Sequence, residues 1–171
     1  MSELEKIDRV HLDAAEGWIG LGNFNEANEE LEQIAPEHRA RPDVLEVGWH
    51  IYAHAKKWVK CLDVAAAIIK AAPHRPEGWV HRSFALHELN RTQEALDSLL
   101  PVWEKFPKAW PIPYNLACYC SQLGRLDEAQ KWFRKAMAID EDRVKRAGLD
   151  DPDLKPLWDK MKKDAWKSLG L

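Results

Sequence analysis

The chain has 171 residues, 46% apolar and 31% charged, with a formal net charge of −3, which is long enough for one well-buried domain and short for two. No apolar run approaches the ~18–20 residues that cross a bilayer, and the acidic balance argues against a surface for nucleic acid, which needs clustered Lys and Arg. Three cysteines fit reduced thiols better than a disulfide framework, and the opening MSELEKIDRV lacks the basic and apolar regions of a secretory signal, so a cytoplasmic location without a membrane partner is expected.

The first predicted elements are VHLDAAEGWIGL (10–21) and GNFNEANEEL (22–31). The pattern returns 34 residues later as VLEVGWHIYAHA (44–55) and KKWVKCLDVA (56–65). It returns again as GWVHRSFALHEL (78–89) and NRTQEALDSL (90–99), then as IPYNLACYCSQL (112–123) and GRLDEAQKWF (124–133), without a gap. Apolar residues at helical spacing, broken by short turns, make these four helix–turn–helix units. A small residue recurs at Ala27, Cys61, Ala95 and Ala129, and Pro73 and Pro107 close two of the units. After residue 141 the period stops. DRVKRAGLD holds a short turn of helix ending at Gly148, and an amphipathic helix is expected from Asp153 to Leu169. Its apolar stripe is Leu154, Leu157, Trp158, Met161, Ala165, Trp166 and Leu169, which suits the cap that a stacked array needs at its end.

A period of 34 residues with these positions filled resembles the tetratricopeptide repeat family, and the DDPDLKPLW string resembles the end of some bacterial members. The third unit matches the family pattern at Trp79, Ser83, Leu86, Ala95, Leu99 and Pro107; the fourth matches at Leu116, Ala117, Gly124, Ala129 and Phe133. The first supplies Ala15, Trp18, Gly22 and Ala27, and the second Tyr52, Trp58 and Pro73. The resemblance implies an all-α fold, a right-handed α-solenoid of four tetratricopeptide-like units (about 8–41, 42–75, 76–109 and 110–141) with a C-terminal capping helix in 142–171. Trp49 departs from the pattern where the family has Gly, Ala or Ser, and Gly48 and Arg82 stand at Leu positions. The indole at 49 therefore either turns its helix or requires neighbours shaped around it.

No glycine loop for phosphate, nucleophile elbow, EF-hand or helical zinc-protease pattern is present, and no residue is read as catalytic. Cys118 and Cys120 are two apart and point away from each other on a helix, so they cannot share a metal through that helix alone. Cys61 and Cys120 are expected to fill small packing positions, and Trp18, Trp58, Trp79, Trp103 and Trp132 to belong to the core rather than to a ligand cage.

The family's contact surface is the concave face of each unit's first helix. Carried over residue by residue, it gives Asp13 and Glu16 from the first unit and Glu46, His50 and His54 from the second. The third gives Glu77, His81, Phe84, His87 and Glu88, and the fourth Tyr114, Asn115, Cys118 and Gln122. The Lys, Asn and Arg clamp with which many members grip an acidic chaperone tail is missing in either register of the repeats, and carboxylates would repel such a tail. The implied function is a protein-interaction scaffold without cofactor, binding a peptide or partner protein in the groove. One alternative is a metal-binding regulator or metal-dependent enzyme built on His50, His54 and His81, resting on the same-face spacing of HIYAH (50–54). A bland reading has the histidines hydrogen-bonded to Glu46, Glu77 or Glu88 on a solvated wall. A self-assembling unit is the last alternative, because residues 1–37 carry a balance of −8 and residues 143–171 one of +3.

Overall fold

A computed structural model describes residues 6–161, and every regular element among them is helical. Helices α1 (Lys6–Gly20) and α2 (Phe24–Gln33) form the first pair, α3 (Pro42–His54) and α4 (Trp58–Ala71) the second. Then come α5 (Glu77–Glu88) with α6 (Thr92–Leu99), and α7 (Pro111–Gln122) with α8 (Leu126–Ile139). Two short helices follow, α9 (Glu141–Gly148) and α10 (Lys155–Lys160). Pro42 and Pro111 stand in the first turns of α3 and α7, where a missing N–H leaves no bond unmade. The Asp140 side chain accepts from the Arg143 N–H at 3.0 Å and caps α9, so the stretch read as a turn of helix is a full element.

The turns inside the four pairs are one structure used four times. Gly22, Lys56, Asn90 and Gly124, spaced by 34, all have left-handed backbones, with φ of 75°, 52°, 62° and 73°. Behind each, the next N–H donates to the carbonyl five residues back: Asn23 to Trp18 at 2.9 Å, Lys57 to Tyr52 at 2.9 Å, Arg91 to Leu86 at 3.0 Å, and Arg125 to Cys120 at 2.8 Å. This is a Schellman closure, which satisfies carbonyls that the helix end would otherwise orphan. Lys56 has neither the freedom of glycine nor the tolerance of asparagine in this region. Lys56→Gly is therefore expected to raise stability by about 0.5–1 kcal/mol, after the extra entropy of glycine in the unfolded chain offsets part of the relief. The urea midpoint measures it, and a lowered midpoint would mean that the lysine is unstrained.

The chain divides into two compact units, Met1–Ala85 and Leu86–Leu171. In the first, Leu12, Ala15, Ala27, Ile34, Val44, Val47 and Ile51 form one buried cluster, and Trp49, Cys61, Ala65, Ile68 and Ala85 form another. A Cβ on Gly78 would lie 2.9 Å from the Ile69 backbone nitrogen, so α5 approaches α4 at a distance that only glycine allows. Buried Asp8 on α1 accepts from the Ala35 N–H at 3.1 Å and from the His38 ring, which ties α1 to the turn beyond α2. Those bonds, the His38 one foremost, hold its carboxyl below the usual range.

In the second unit, Leu96, Leu99, Val102, Ile112, Leu116, Tyr119, Phe133, Val144, Leu154 and Leu157 are buried. The expected C-terminal helix begins as a 3₁₀ turn, Pro152–Leu154, before α10. Its stripe is buried at Leu154, Leu157 and Met161, while half-buried Trp158 donates its indole N–H to the Gly148 carbonyl at 3.2 Å. Ala165, Trp166 and Leu169 lie outside the described residues.

Candidate functional site

Trp49 does not disturb its helix. It is 6% exposed, and its indole lies parallel to the His81 ring, with centroids 4.0 Å apart and planes 16° apart. The room comes from α5, whose His81 and Phe84 frame the indole, and from Cys61 on α4. With α3 regular, His50 and His54 stay on one face, one turn apart.

These histidines help to line an apolar recess of about 470 Å³, together with Ile19, Phe24, Trp49, Ala53, Trp58, Val80, His81 and Phe84. His54 stacks on Phe24, with centroids 3.5 Å apart and planes 8° apart. His50 meets the edges of Trp49 and His81, at 5.4 Å and 5.6 Å. Burial pulls the His81 ring down to about 3, helped by neighbouring His50, and burial also lowers His50 itself. Both rings are thus neutral at pH 7 and add to the apolar wall. Among the described residues no hydrogen bond joins His50, His54 or His81 to a glutamate, which departs from the solvated wall considered from sequence.

The carboxylates gather beside this recess. A second recess of about 260 Å³ is lined by Glu16, Ile19, Asp43, Glu46, Val47, His50 and Arg75. Arg75 bridges Glu46 at 2.7 Å and Glu77 at 3.3 Å. Asp13 stands apart, exposed and paired with Arg9 at 3.9 Å. Sequence reading missed Phe24, Trp58 and Arg75. Phe24 and Trp58 open second helices, whereas the resemblance assigned contacts to first helices. Their own spacing of 34, two residues past each left-handed turn, is the signal that marks them as equivalent.

The remaining predicted residues lie in the second unit, where Tyr114, Cys118, Gln122 and His87 contact the segment 151–154. The Tyr114 hydroxyl donates to the Asp151 carboxylate at 2.5 Å, and the Cys118 thiol donates to the same oxygen at 3.7 Å. Both side chains are buried, and burial together with Asp151 raises both groups above their ordinary values, so Cys118 is an inert thiol. Burial pushes Cys61 and Cys120 up to about 11, as suits packing residues. The Gln122 amide donates to the Asp153 carbonyl at 2.9 Å, and Asn115 turns back to its own helix at the Pro111 carbonyl.

His87 contacts the Asp153 carboxylate at 3.1 Å and the Thr92 hydroxyl at 2.9 Å. Burial disfavours its protonation, yet the Asp153 bond and the charges of Asp153, nearby Glu88 and Asp151 outweigh it, leaving the ring raised above 6.5. A raised histidine contributes stability that is full below its unfolded value and lost as pH rises through the folded one. Asp153→Asn should therefore lower the urea midpoint more at about pH 5.5 than at about pH 8.5. An equal loss at both would show that the bond does not depend on protonation of His87.

Among the described residues, no group of three or more His, Cys, Asp and Glu side chains is placed to hold a metal ion, and no helix is long and apolar enough to cross a membrane.

Comparison with known proteins places the fold. The tetratricopeptide repeat family matches residues 114–143. Among curated proteins no sequence matches the chain. Of solved structures, the thermophilic tetratricopeptide repeat protein TTC0263 of Thermus thermophilus is similar with a TM-score of 0.73 and 16% identity, over 94% of this chain and 90% of that one. MamA of Desulfovibrio magneticus RS-1, from its residue 41 to the end, is similar with a TM-score of 0.69 and 15% identity, over 97% and 98%. YrrB, described as a tetratricopeptide repeat protein with an unusual peptide-binding site, is similar with a TM-score of 0.61 and 12% identity, over 94% and 91%. Identities this low carry the fold, an all-α solenoid, and nothing of the partners. One repeat, residues 114–143, is thus matched by sequence to the tetratricopeptide repeat family, and most of the chain is matched in fold by solved tetratricopeptide repeat proteins.

Proposed function

We propose that the chain is a non-enzymatic scaffold that binds a peptide segment of a partner protein on the first-helix face of its first unit. In this reading residues 8–141 supply four repeats and 142–171 the cap. The supporting observation is the gathering of Glu16, Glu46, His50, His54, His81 and Phe84 around two adjoining recesses. Rigid paired helices hold these side chains in place before any partner arrives, which lowers the entropy lost on binding. The partner is a protein of neutral or basic character, because an acidic tail would meet Glu16, Asp43 and Glu46.

The test is a peptide-display selection against the full chain, with the bound face mapped by amide chemical shifts. Charge reversal of Glu46 and Glu77 together should weaken the selected peptides, since rim charges set encounter and orientation. Unchanged affinity in calorimetry would move the binding surface elsewhere.

A further inference from the structure

The two recesses of the first unit adjoin, sharing Ile19 and His50, and they differ sharply in chemistry. One is walled by the rings of Phe24, Trp49, Trp58 and Phe84 with the neutral rings of His50 and His81 between them, and at about 470 Å³ it falls within the range of sites that take a specific ligand group. The other brings together Glu16, Asp43 and Glu46, with Arg75 the one cation among its lining residues. Arg75 is committed to Glu46 and Glu77, Asp43 is shared by Arg9 at 3.7 Å and Arg41 at 3.2 Å, and among the described residues no cation pairs with Glu16. The surroundings favour a further positive charge. Burial holds the Glu46 carboxyl above its ordinary range, Arg75 opposes this, and the charges of Glu77, Asp43 and Glu16 add to it.

We infer that this double recess docks a peptide presenting an aromatic or long aliphatic side chain with a lysine or arginine close by in sequence. The apolar side chain enters between Phe24, Trp49 and Phe84, and the cation lies over Glu16 and Glu46. The neutrality of His81 matters, because a charged ring there would demand water that the apolar side chain expels. This inference rests on the scaffold reading above and specifies its partner.

The experiment uses the full chain, labelled for NMR, with short synthetic peptides in a Gly-Ser frame that carry Phe-Lys, Ala-Lys or Phe-Glu. The Phe-Lys peptide should shift amides in Ile19–Phe24, Trp49–His54 and Val80–Phe84. Replacing its Phe by Ala should weaken binding about tenfold or more, the effect of burying one large apolar side chain. Replacing its Lys by Glu should weaken binding by at least several-fold, more so at low salt. Because those changes are in the peptide, the fold of the protein is untouched. On the protein side, exposed Glu16→Lys should weaken the Phe-Lys peptide and strengthen the Phe-Glu peptide.

Peptides that emerge from display and bind this face with no preference for the apolar–basic pair would overturn the inference while the scaffold reading stands. If no selected peptide binds the chain at all, the scaffold reading falls and takes the inference with it. Concentration-dependent shifts of the same amides without peptide would assign the face to a second copy of the chain, and would likewise overturn it.

Discussion

Trp49→Ala is expected to destabilise the first unit by about 3–5 kcal/mol, the largest loss from any single substitution considered. The indole is 6% exposed among Cys61, Ala65, Ile68 and Ala85, and one face is covered by His81. Alanine would leave a void that rigid helices cannot fill by closing, so both the lost burial and the unfilled volume count. The family's preference for a small residue here makes the result informative, since by pattern alone alanine should improve the helix crossing. Trp49→Phe should cost far less. The indole N–H is buried without a hydrogen-bond partner, so phenylalanine removes an uncompensated desolvation while keeping most of the ring. Urea unfolding of the three proteins, with amide exchange in α3 and α4 locating the effect, measures the difference. Equal losses for Ala and Phe would mean that ring burial is not what the site uses.

Asp151→Ala is expected to cost the second unit about 1–3 kcal/mol by leaving the buried Tyr114 hydroxyl without its acceptor. Asp151 takes bonds from Tyr114 and Cys118 with one oxygen and from the Asp153 N–H, at 2.9 Å, with the other. It therefore holds both the 3₁₀ turn and its seat on α7, and fully buried Leu154 and Leu157 depend on that seat. Amide exchange should quicken across Pro152–Lys160 while α8 stays protected. Asp151→Asn keeps an acceptor and a turn-forming side chain, and should cost less. If exchange in α8 quickens equally, the segment and the helices form one cooperative element.

The helix pairs were legible because the information is periodic and local. Ala27, Cys61, Ala95 and Ala129 are all fully buried, as their spacing predicted, because a small side chain is what lets paired helices touch. Gly22 and Gly124 matched the family pattern at positions that prove to be left-handed turns; Lys56, a residue that disfavours this backbone, adopts it because the flanking helices and the same closing bond impose it. The stripe of α10 was also legible as far as Met161, through helical spacing alone.

The site was less so. HIYAH suggested a metal pair, then a solvated wall. The structure instead gives His54 a stacking partner in Phe24 and sets His50 against His81, residues 30 and 31 positions away in sequence. Likewise Tyr114 and Cys118 looked available from their helix register, but Asp151 covers them from beyond α9. By itself the sequence determined the repeat, its period, the small packing positions of the second helices and the acidic character of residues 1–37, since each follows from spacing and composition along the chain. Only the tertiary structure decided where Trp49 sits, which histidines are neutral and which groove positions the chain itself occupies. Those outcomes depend on contacts between side chains far apart in the chain, and burial and pairing there override what each residue would do alone.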